Sequence, residues 1–425
     1  MVTPPEVAPG YGNASRHPGP LSHLRICDLS GQLAGAGATR VLAAFGAQVI
    51  RVEDPVTKGT WDIVRQLGPF LNDDRSPDGA AGFNNHNVEK LGVTINLRTE
   101  RGRELLGELI RRSDAVTENF SAGVMERLGF SYERMKELRP EIVYVSNCGF
   151  GQRGPYASFK SWGPIAQAVS GLTWSSGLPG REPAGWGYSY MDHTGGYQMA
   201  IALLAALWHR SRTGEGQWVD MSCSEGGIGL NGPALLEATV NGRDLRRDRP
   251  VDSNRSPWPT MVAHGIYPAR EEDTWVAVAC RDDDDWSSLC GVIGEPWADK
   301  GLSLSERAAV EDEIDENLAA WTSGRVATEV VEMVRAAGVP CSPVARPAFR
   351  CDVDPDNLGW GLWPQVRHSR HGAVRVDGLP VHLSETDWHL ERGGPLLGED
   401  NDRVFREVLG LDEHNITDLR TEGVI

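Results

Sequence analysis

The sequence lacks a long apolar run, a paired-cysteine motif and any excess of positive charge. Its longest apolar stretch, residues 199–208, is much shorter than the ~20 residues that a membrane-spanning helix requires. The formal net charge of -17 disfavours nucleic-acid binding through a broad basic face, but it allows a local basic pocket for a small anionic ligand. We therefore expect neither a membrane nor a nucleic acid as a partner.

Cysteine is scarce, with seven scattered residues and no CxxC pair of the kind used for zinc or redox sites. This pattern predicts reduced core cysteines in a cytoplasmic protein. The first 20 residues lack the apolar run of a signal peptide or an anchor, so residues 1–20 are interpreted as a flexible tail. An acidic run at residues 282–285 is not paired with His or Cys, so we predict a helix start there and no metal site.

What the sequence does contain is a chain of 425 residues, more than the ~250 to 300 at which a single core stops growing. Its hydrophobic share of 40% and charged share of 24% are typical of a globular protein. In the first half, short apolar segments alternate with helical patterns, which predicts βαβ units and a parallel sheet. The predicted strands span residues 24–29, 48–52, 91–97, 115–120, 142–146 and 217–221.

The pattern changes after about residue 240, where an Arg-, Asp- and Pro-rich segment, 242–259, is interpreted as a linker. Beyond it we predict paired strands at 264–267 and 275–280 and helices at 306–321 and 326–337. These elements predict a small α+β domain at residues 259–344. The predicted fold class is therefore α/β, with a Rossmann-like parallel-sheet large domain at residues 21–240 that residues 345–425 complete.

A lone carboxylate, Asp192, stands one residue before a Thr-Gly-Gly sequence, which we interpret as a turn, and before an apolar helix of about four turns. The residues alone favour a helix cap, and they also allow a surface acid, an ion-pair partner or a catalytic group. The glycine-rich turn at residues 31–37 is not the GxGxxG of a dinucleotide site. It fits close helix–strand packing as well as backbone contact with a phosphate-bearing ligand.

Several segments together resemble the class III CoA-transferase family, which includes formyl-CoA transferases, carnitine CoA-transferases and the alpha-methylacyl-CoA racemases. They occur in the family's order between residues 27 and 400. The segments are CDLSGQLAGAGATRVLAAFGAQVIRVE, DAVTENFSAGVMERLGFSYERMKELRPEIVYVSNCGFGQRGPYA, QAVSGLTWSSG, MDHTGGYQMAIALLAALWHRSRTGEGQWVDMS, AAGVPCSPV and PLLGED.

This resemblance implies that Asp192 is a catalytic nucleophile. The family mechanism has the aspartate attack an acyl-CoA thioester, which gives a mixed anhydride and then an aspartyl-CoA thioester. The partners implied are an acyl-CoA and a carboxylic acid, with coenzyme A as a substrate and neither ATP, a metal nor a permanently bound cofactor required. The resemblance also implies an interlocked homodimer.

Contacts with CoA are implied for eleven residues. The turn after the first strand and the ENF segment with its following helix match CoA-contacting regions of the family, and two further basic residues are candidates for the phosphates. The CGFGQRGP segment is expected to form a backbone wall near the thioester, although tight turning alone would also require its glycines. The residues are Gln32, Leu33, Ala34, Arg51, Lys90, Asn119, Phe120, Arg127, Gly149, Gly151 and Gln152. For Arg127, a surface ion pair with Glu126 or Glu133 is an equal alternative. The amide groups of Gly149, Gly151, Gln152 and Gly154 are candidates for stabilising an oxyanion.

Some features depart from the family's pattern. Met191 stands where relatives commonly have Gly, and Gly163 and Pro164 stand where the racemases have a catalytic His. The missing base disfavours an acyl-CoA racemase or isomerase, and His193 is too close to Asp192 along the chain to serve the opposite face of an enolate. A non-catalytic CoA-binding subunit is a further alternative. Three tryptophans before Asp192 are candidates for the acyl pocket: Trp162, Trp174 and Trp186.

Overall fold

The computed structural model describes residues 19–177, 181–187, 189–242, 254–257 and 259–425. It divides into two compact units. The described residues of the first lie within 19–174, 185–242 and 355–425, and those of the second lie within 175–184 and 254–354. The predicted tail lies outside the described residues except for Gly19 and Pro20, and so does most of the predicted linker.

A six-stranded parallel sheet forms the centre of the first unit, in the order β3-β2-β1-β4-β5-β6. This confirms the predicted α/β class, and the order is that of the doubly wound dinucleotide-binding folds. All six predicted strands are present. They are β1 (Arg25–Asp28), β2 (Gln48–Glu53), β3 (Leu91–Thr94), β4 (Ala115–Glu118), β5 (Val143–Cys148) and β6 (Trp218–Ser222).

Helices cover both faces of this sheet. Among the described residues before 242 there are nine α-helices, namely α1 (Ala34–Ala44), α2 (Ala81–His86), α3 (Glu100–Arg111), α4 (Val124–Arg127), α5 (Tyr132–Leu138), α6 (Gly163–Val169), α7 (Tyr190–Thr213), α8 (Cys223–Leu230) and α9 (Gly232–Asn241). On one face, Ile26 and Val49 of the sheet pack with α1 and α7. On the other, Cys27 and Ile50 pack with α3 and α5. Alternate residues of one strand thus fill opposite cores, which explains the nearly continuous apolar runs.

Helix α7 begins earlier than predicted. Thr194, Gly195 and Gly196 lie within it, so the predicted turn is wrong and Asp192 is its third residue. A Cβ on Gly196 would lie 2.8 Å from the Ala34 carbonyl oxygen of α1, and one on Gly195 would lie 2.9 Å from the Cys223 sulfur. The glycines therefore permit close helix packing rather than a turn.

The second unit has a three-stranded antiparallel sheet, ordered β11-β10-β9, and a two-stranded pair. Its elements are β7 (Ser256–Pro257), β8 (Thr260–Met261), β9 (His264–Pro268), β10 (Trp275–Ala279), α10 (Asp283–Ile293), α11 (Leu304–Ala309), α12 (Glu311–Ser323), α13 (Ala327–Ala336), β11 (Cys341–Pro343) and α14 (Pro347–Asp352). The predicted single helix at 306–321 is wrong, because the non-helical backbone of Val310 separates two helices. The acidic helix start is confirmed, with Asp282 capping α10.

The C-terminal section returns to the first unit. It contains α15 (Pro355–Trp360), β12 (Gln365–His368), β13 (Gly372–Arg375), α16 (Asn401–Glu407) and α17 (Glu413–Thr421). Asp400 accepts a hydrogen bond from the Gly92 amide at 2.8 Å, and Asn401 accepts one from the Thr94 amide at 2.8 Å. These contacts attach the section to the edge strand β3.

Candidate active site

A cavity of about 230 Å³ lies at the carboxyl edge of the parallel sheet, in the first unit. The strand order reverses between β1 and β4, and ligands of doubly wound sheets bind in the crevice at this switch point. The turns after these two strands are tied together, because the Gly31 amide donates to Asn119 Oδ1 at 2.7 Å and Asn119 Nδ2 donates to the Gly31 carbonyl at 2.9 Å. Both residues line the cavity.

Asp192 reaches this cavity from the first turn of α7. Its carboxylate accepts hydrogen bonds from the Ser189 side chain and from the Gly163 amide. Ser189 precedes the helix in a left-handed conformation, with φ of 56°, and it does not cap the helix in the usual way. The hydroxyl therefore serves the carboxylate instead of the helix amides.

Burial raises the pKa of Asp192 above its ordinary value. The Ser189 hydroxyl, the His193 ring and the Gly163 amide each lower that pKa, but they do not cancel the effect of burial. Among the described residues, no Lys, Arg or His forms an ion pair with Asp192. A partly desolvated carboxylate without a paired cation retains more nucleophilic character than one in water.

Five of the eleven residues predicted to contact CoA share the cavity with Asp192. They are Gln32, Ala34, Asn119, Phe120 and Gly149. Gln32 is exposed and has a positive φ of 56°, and Asn119 and Phe120 follow β4 directly. The resemblance had selected residues from three separate parts of the chain, and the sheet brings these parts together.

Three of the predicted CoA residues lie elsewhere. Arg51 is fully buried and forms ion pairs with Asp62 and, at 3.7 Å, with Glu53. Lys90 is also fully buried, and its Nζ lies 3.1 Å from Asp28 Oδ2. Both side chains form ion pairs with buried carboxylates, so neither is accessible to a phosphate of CoA. Leu33 is buried in a small apolar cluster.

The remaining three are not among the residues that line the cavity. Arg127 is exposed and, within the part of the chain that the structure describes, forms no ion pair with Glu126 or Glu133. The amide of Gln152 donates to Asp220 at 2.8 Å, and that of Gly151 hydrogen-bonds to Cys148. These two amides therefore already have acceptors within the protein, which disfavours the oxyanion role considered for them. The Gln152 side chain accepts from the Gly123 amide at 3.1 Å.

Aromatic rings form part of the cavity wall. Trp162 lies there with Phe159 and Trp61, whereas Trp174 and Trp186 are not among its lining residues. The Trp61 ring is 5.8 Å from that of Phe120, measured between centroids. Trp162 and Phe159 are each at least half exposed, so their faces are available to a bound molecule.

Neither of the two sequence neighbours of Asp192 is among the residues that line the cavity. Met191 is fully buried in a cluster with Ala166, Leu172 and Cys223. His193 is exposed, and its ring centroid lies 5.5 Å from that of His86, whose pKa is lowered to about 4 chiefly by burial. Met191 therefore anchors the first turn of α7 rather than shaping the cavity directly.

Several lining residues were missed from the sequence, namely Trp61, Asn147, Cys148, Ser161 and Cys223. The two that hold the carboxylate, Ser189 and Gly163, were also not recognised in that role. For Ser189 the sequence did contain a signal, because Ser-x-x-Asp commonly marks a helix start. Among the described residues no group of His, Cys, Asp and Glu is arranged to hold a metal. None of the described helices is long and apolar enough to span a bilayer.

Comparison with known proteins gives a consistent result. The model of the family described as CoA-transferase family III matches residues 21–401. The succinyl-CoA–D-citramalate CoA-transferase of Chloroflexus aurantiacus is 30% identical over 416 residues, which cover 97% of this chain and all of that protein. The formyl-CoA:oxalate CoA-transferase of Streptomyces coelicolor is 31% identical over 428 residues, covering 95% of this chain and 99% of that protein.

Solved structures agree with the fold. A CAIB/BAIF family protein from Brucella suis superimposes with a TM-score of 0.80 at 27% identity, covering 92% of this chain and all of the other. The protein Rv3272 from Mycobacterium tuberculosis superimposes with a TM-score of 0.75 at 23% identity, covering 91% of this chain and 99% of the other, and supports the fold alone.

Proposed function

The chain belongs to CoA-transferase family III and is a transferase that acts on CoA thioesters, and we propose that it moves CoA from an acyl-CoA to a carboxylic acid through covalent intermediates on Asp192. One observation supports the role of Asp192 above all. It is a carboxylate with a raised pKa that lines a cavity at the switch point of the sheet. A perturbed acid in such a crevice is typical of a reacting group.

The proposed reaction proceeds in two symmetrical halves. A carboxylate oxygen of Asp192 attacks the thioester carbonyl carbon, the C–S bond breaks, and CoA leaves as a thiolate. The thiolate then attacks Cγ of Asp192 in the mixed anhydride, which releases the donor acid and leaves an aspartyl-CoA thioester. The acceptor carboxylate attacks the same Cγ and expels the thiolate, and attack of that thiolate on the new acyl carbonyl regenerates Asp192. Each hard exchange becomes a series of easier ones.

Burial favours this use of a carboxylate. Removing water from an ionised carboxylate weakens the solvation that makes it a poor nucleophile, and the two hydrogen bonds to Asp192 hold it in a fixed orientation. The CoA moiety would follow the wall made by Gln32, Asn119, Phe120 and Gly149. The exposed guanidinium of Arg127 is the candidate for a CoA phosphate.

The acyl group would contact the aromatic wall of Trp162 and Phe159. The relatives named above use formyl, oxalyl, succinyl and citramalyl groups, according to their names. An aromatic wall favours acyl groups that are larger or more apolar than formyl or oxalyl. A panel of carboxylic acids offered to the enzyme with several acyl-CoA donors, with products read by mass spectrometry, tests this preference; oxalate as the best acceptor would contradict it.

Chemical trapping tests the covalent mechanism. Incubation with an acyl-CoA followed by hydroxylamine or borohydride should modify Asp192, and peptide mass spectrometry would locate the change. The Asp192→Ala variant serves as the control and should remain unmodified while still binding CoA. A wild-type enzyme that exchanges CoA with Asp192 unmodified would contradict the mechanism. Deuterium entering the alpha carbon without CoA exchange would instead support a racemase.

We further propose that the protein forms a homodimer through the outer side of α7 and α9. None of the side chains of α9 is buried, yet Leu235, Leu236 and Val240 are apolar, and on α7 Ile201 and Trp208 are about two-thirds exposed. An apolar surface of this kind marks an interface. Light scattering should give the mass of two chains, and Ile201→Glu should shift it towards one; a wild-type monomer at micromolar concentration would contradict the proposal.

A further inference from the structure

Gly163, the first residue of α6, lies against the carboxylate of Asp192. A Cβ at this position would be 2.5 Å from Asp192 Oδ2 and 2.8 Å from Cγ, so no other residue can stand there unless the carboxylate moves. The Gly163 amide also donates a hydrogen bond to that carboxylate. Glycine is therefore required for a close approach between a backbone amide and the reacting group.

The carboxylate has few other partners. Besides the Gly163 amide it accepts from the Ser189 side chain, which is almost fully buried. Oδ2 is the oxygen that lies against Gly163, and the cavity lies beside the same carboxylate. The two oxygens of Asp192 therefore differ in their surroundings, although they are chemically equivalent in free aspartate.

On the premise of the aspartyl mechanism proposed above, we propose that the Gly163 amide is an oxyanion donor that holds Oδ2 throughout turnover. Only the other oxygen, Oδ1, then forms and breaks bonds to the acyl group. When the CoA thiolate attacks Cγ of the mixed anhydride, the carbonyl electron pair moves onto Oδ2, next to the amide. Collapse of this intermediate restores the Cγ–Oδ2 double bond and expels the donor carboxylate, which carries Oδ1 with it.

In the second half reaction, an oxygen of the acceptor carboxylate takes the place of Oδ1. The acceptor carboxylate attacks Cγ, its attacking oxygen becomes the bridge of the new anhydride, and the bridge remains on Asp192 when the thiolate takes the acyl group. Oδ2 again carries the negative charge in the intermediate and again lies against the amide. Every complete cycle therefore exchanges one oxygen of Asp192 and retains the other.

Isotope labelling of the full-length enzyme tests this assignment. The enzyme turns over an acyl-CoA in an excess of the corresponding free acid, which carries ¹⁸O in both carboxylate oxygens. The mass of the peptide that contains Asp192 is then measured by mass spectrometry. We expect one heavy oxygen at Asp192, however many cycles have passed. Two heavy oxygens would show that the carboxylate rotates between cycles and would overturn the inference while leaving the aspartyl mechanism intact. No heavy oxygen during active exchange would overturn both.

The Gly163→Ala variant provides the second measurement. Its Cβ should displace the carboxylate from the amide, so we expect kcat to fall by about 10²–10³-fold, the usual effect of losing one oxyanion donor, with a much smaller change in CoA affinity. Labelling of its residual turnover should give two heavy oxygens. Gly229→Ala in α8 is the matched control, because a Cβ there meets no atom within 4 Å. A Gly163→Ala enzyme with normal kcat and a single label would overturn the role assigned to the amide.

Discussion

Asp28 and Asp192 are both aspartates at the carboxyl edge of the sheet, but their surroundings differ. Asp28 is fully buried, and burial alone would raise its pKa, yet Lys90 and Arg51 bring that pKa below its ordinary value. Asp28 also accepts from Thr39 at 2.7 Å and Thr117 at 3.0 Å. Asp192 has no paired cation among the described residues, and its pKa is raised.

The difference shows how burial leads to two uses of one side chain. A buried carboxylate that is paired with a cation and accepts several hydrogen bonds has no free lone pair with which to attack a substrate. Removing either member of such an ion pair leaves the other member as a buried, unpaired charge. A carboxylate held only by a hydroxyl and an amide keeps its reactivity. Burial by itself therefore does not identify a candidate reacting acid, whereas burial without a counter-charge at the wall of a cavity does.

The largest expected effect comes from neutralising Asp192. Asp192→Asn should lower the rate of CoA transfer by at least ~10³-fold, because the amide cannot form the anhydride. Its CD spectrum and CoA affinity should match the wild type. Glu225→Gln, an exposed acid on α8, is the control and should retain full activity. Transfer by Asp192→Asn at near wild-type rate would remove the distinction between the two aspartates.

Neutralising Asp28 should act on stability instead. Asp28→Asn leaves the buried Lys90 ammonium without its partner, so we expect the free energy of unfolding to fall by about 3–5 kcal/mol. Urea denaturation measures this loss. Asp402→Asn removes an exposed ion pair with Arg420 and should change the unfolding free energy by less than about 1 kcal/mol. Equal effects of the two substitutions would contradict the structural role of Asp28.

Glu118 extends the comparison to a buried acid that does not line the cavity. Burial raises its pKa from 4.5 to about 7, against hydrogen bonds from the Phe120 amide and the Tyr144 hydroxyl. The folded state therefore binds a proton that the unfolded state releases between these pH values. Stability should decline as pH rises from about 4.5 and level off above about 7, by on the order of 3 kcal/mol.

Glu118→Gln should remove this pH dependence, since the amide has no proton to lose. Urea denaturation of both proteins at a series of pH values checks the expectation, and Glu104→Gln, which changes an exposed acid on α3, is the control. A wild-type stability that rises through this range, or a variant that keeps the same slope, would contradict it.

The smallest effect concerns the stability contribution of Asp192 itself. Because its pKa is raised in the folded state, its ionised form is destabilising, so Asp192→Asn should be slightly more stable than the wild type near neutral pH. The advantage should shrink as pH falls through the folded pKa, where the wild type takes up its proton. Paired thermal unfolding curves measure it, and a less stable variant at neutral pH would indicate that the charge is compensated.

The sheet was predictable because each of its strands is an apolar run separated from the next by a helix or a turn. The predictions of secondary structure that were wrong or missing concern segments whose conformation depends on contacts with distant parts of the chain. Gly195 and Gly196 suggested a turn, but they permit helix packing against Cys223 and Ala34. The last helix, α17, was missed, although Leu419 and Ile416 pack in the main core.

The site was predictable where a motif places a backbone next to the sheet edge, as for Asn119 and Gln32. The burial of the basic residues was not predictable, because the carboxylates that form ion pairs with Arg51 and Lys90 lie up to 62 residues away along the chain. No rule of spacing connects Gly163 with Asp192, which meet only because α6 and α7 pack together. The resemblance predicted a role for Asp192 that stays a prediction, and only the folded chain shows that Ser189 and Gly163 contact its carboxylate.

The contact of Gly196 with the Ala34 carbonyl has one more consequence. It places the backbone of α7 against that of α1, one turn beyond Asp192 and directly after the turn that carries Gln32. The distance between the proposed nucleophile and the proposed CoA-binding wall is thus fixed by direct contact between two main chains and does not depend on flexible side chains. Substrate choice can then diverge through the aromatic segment at residues 156–162 without disturbing the distance over which the reaction occurs.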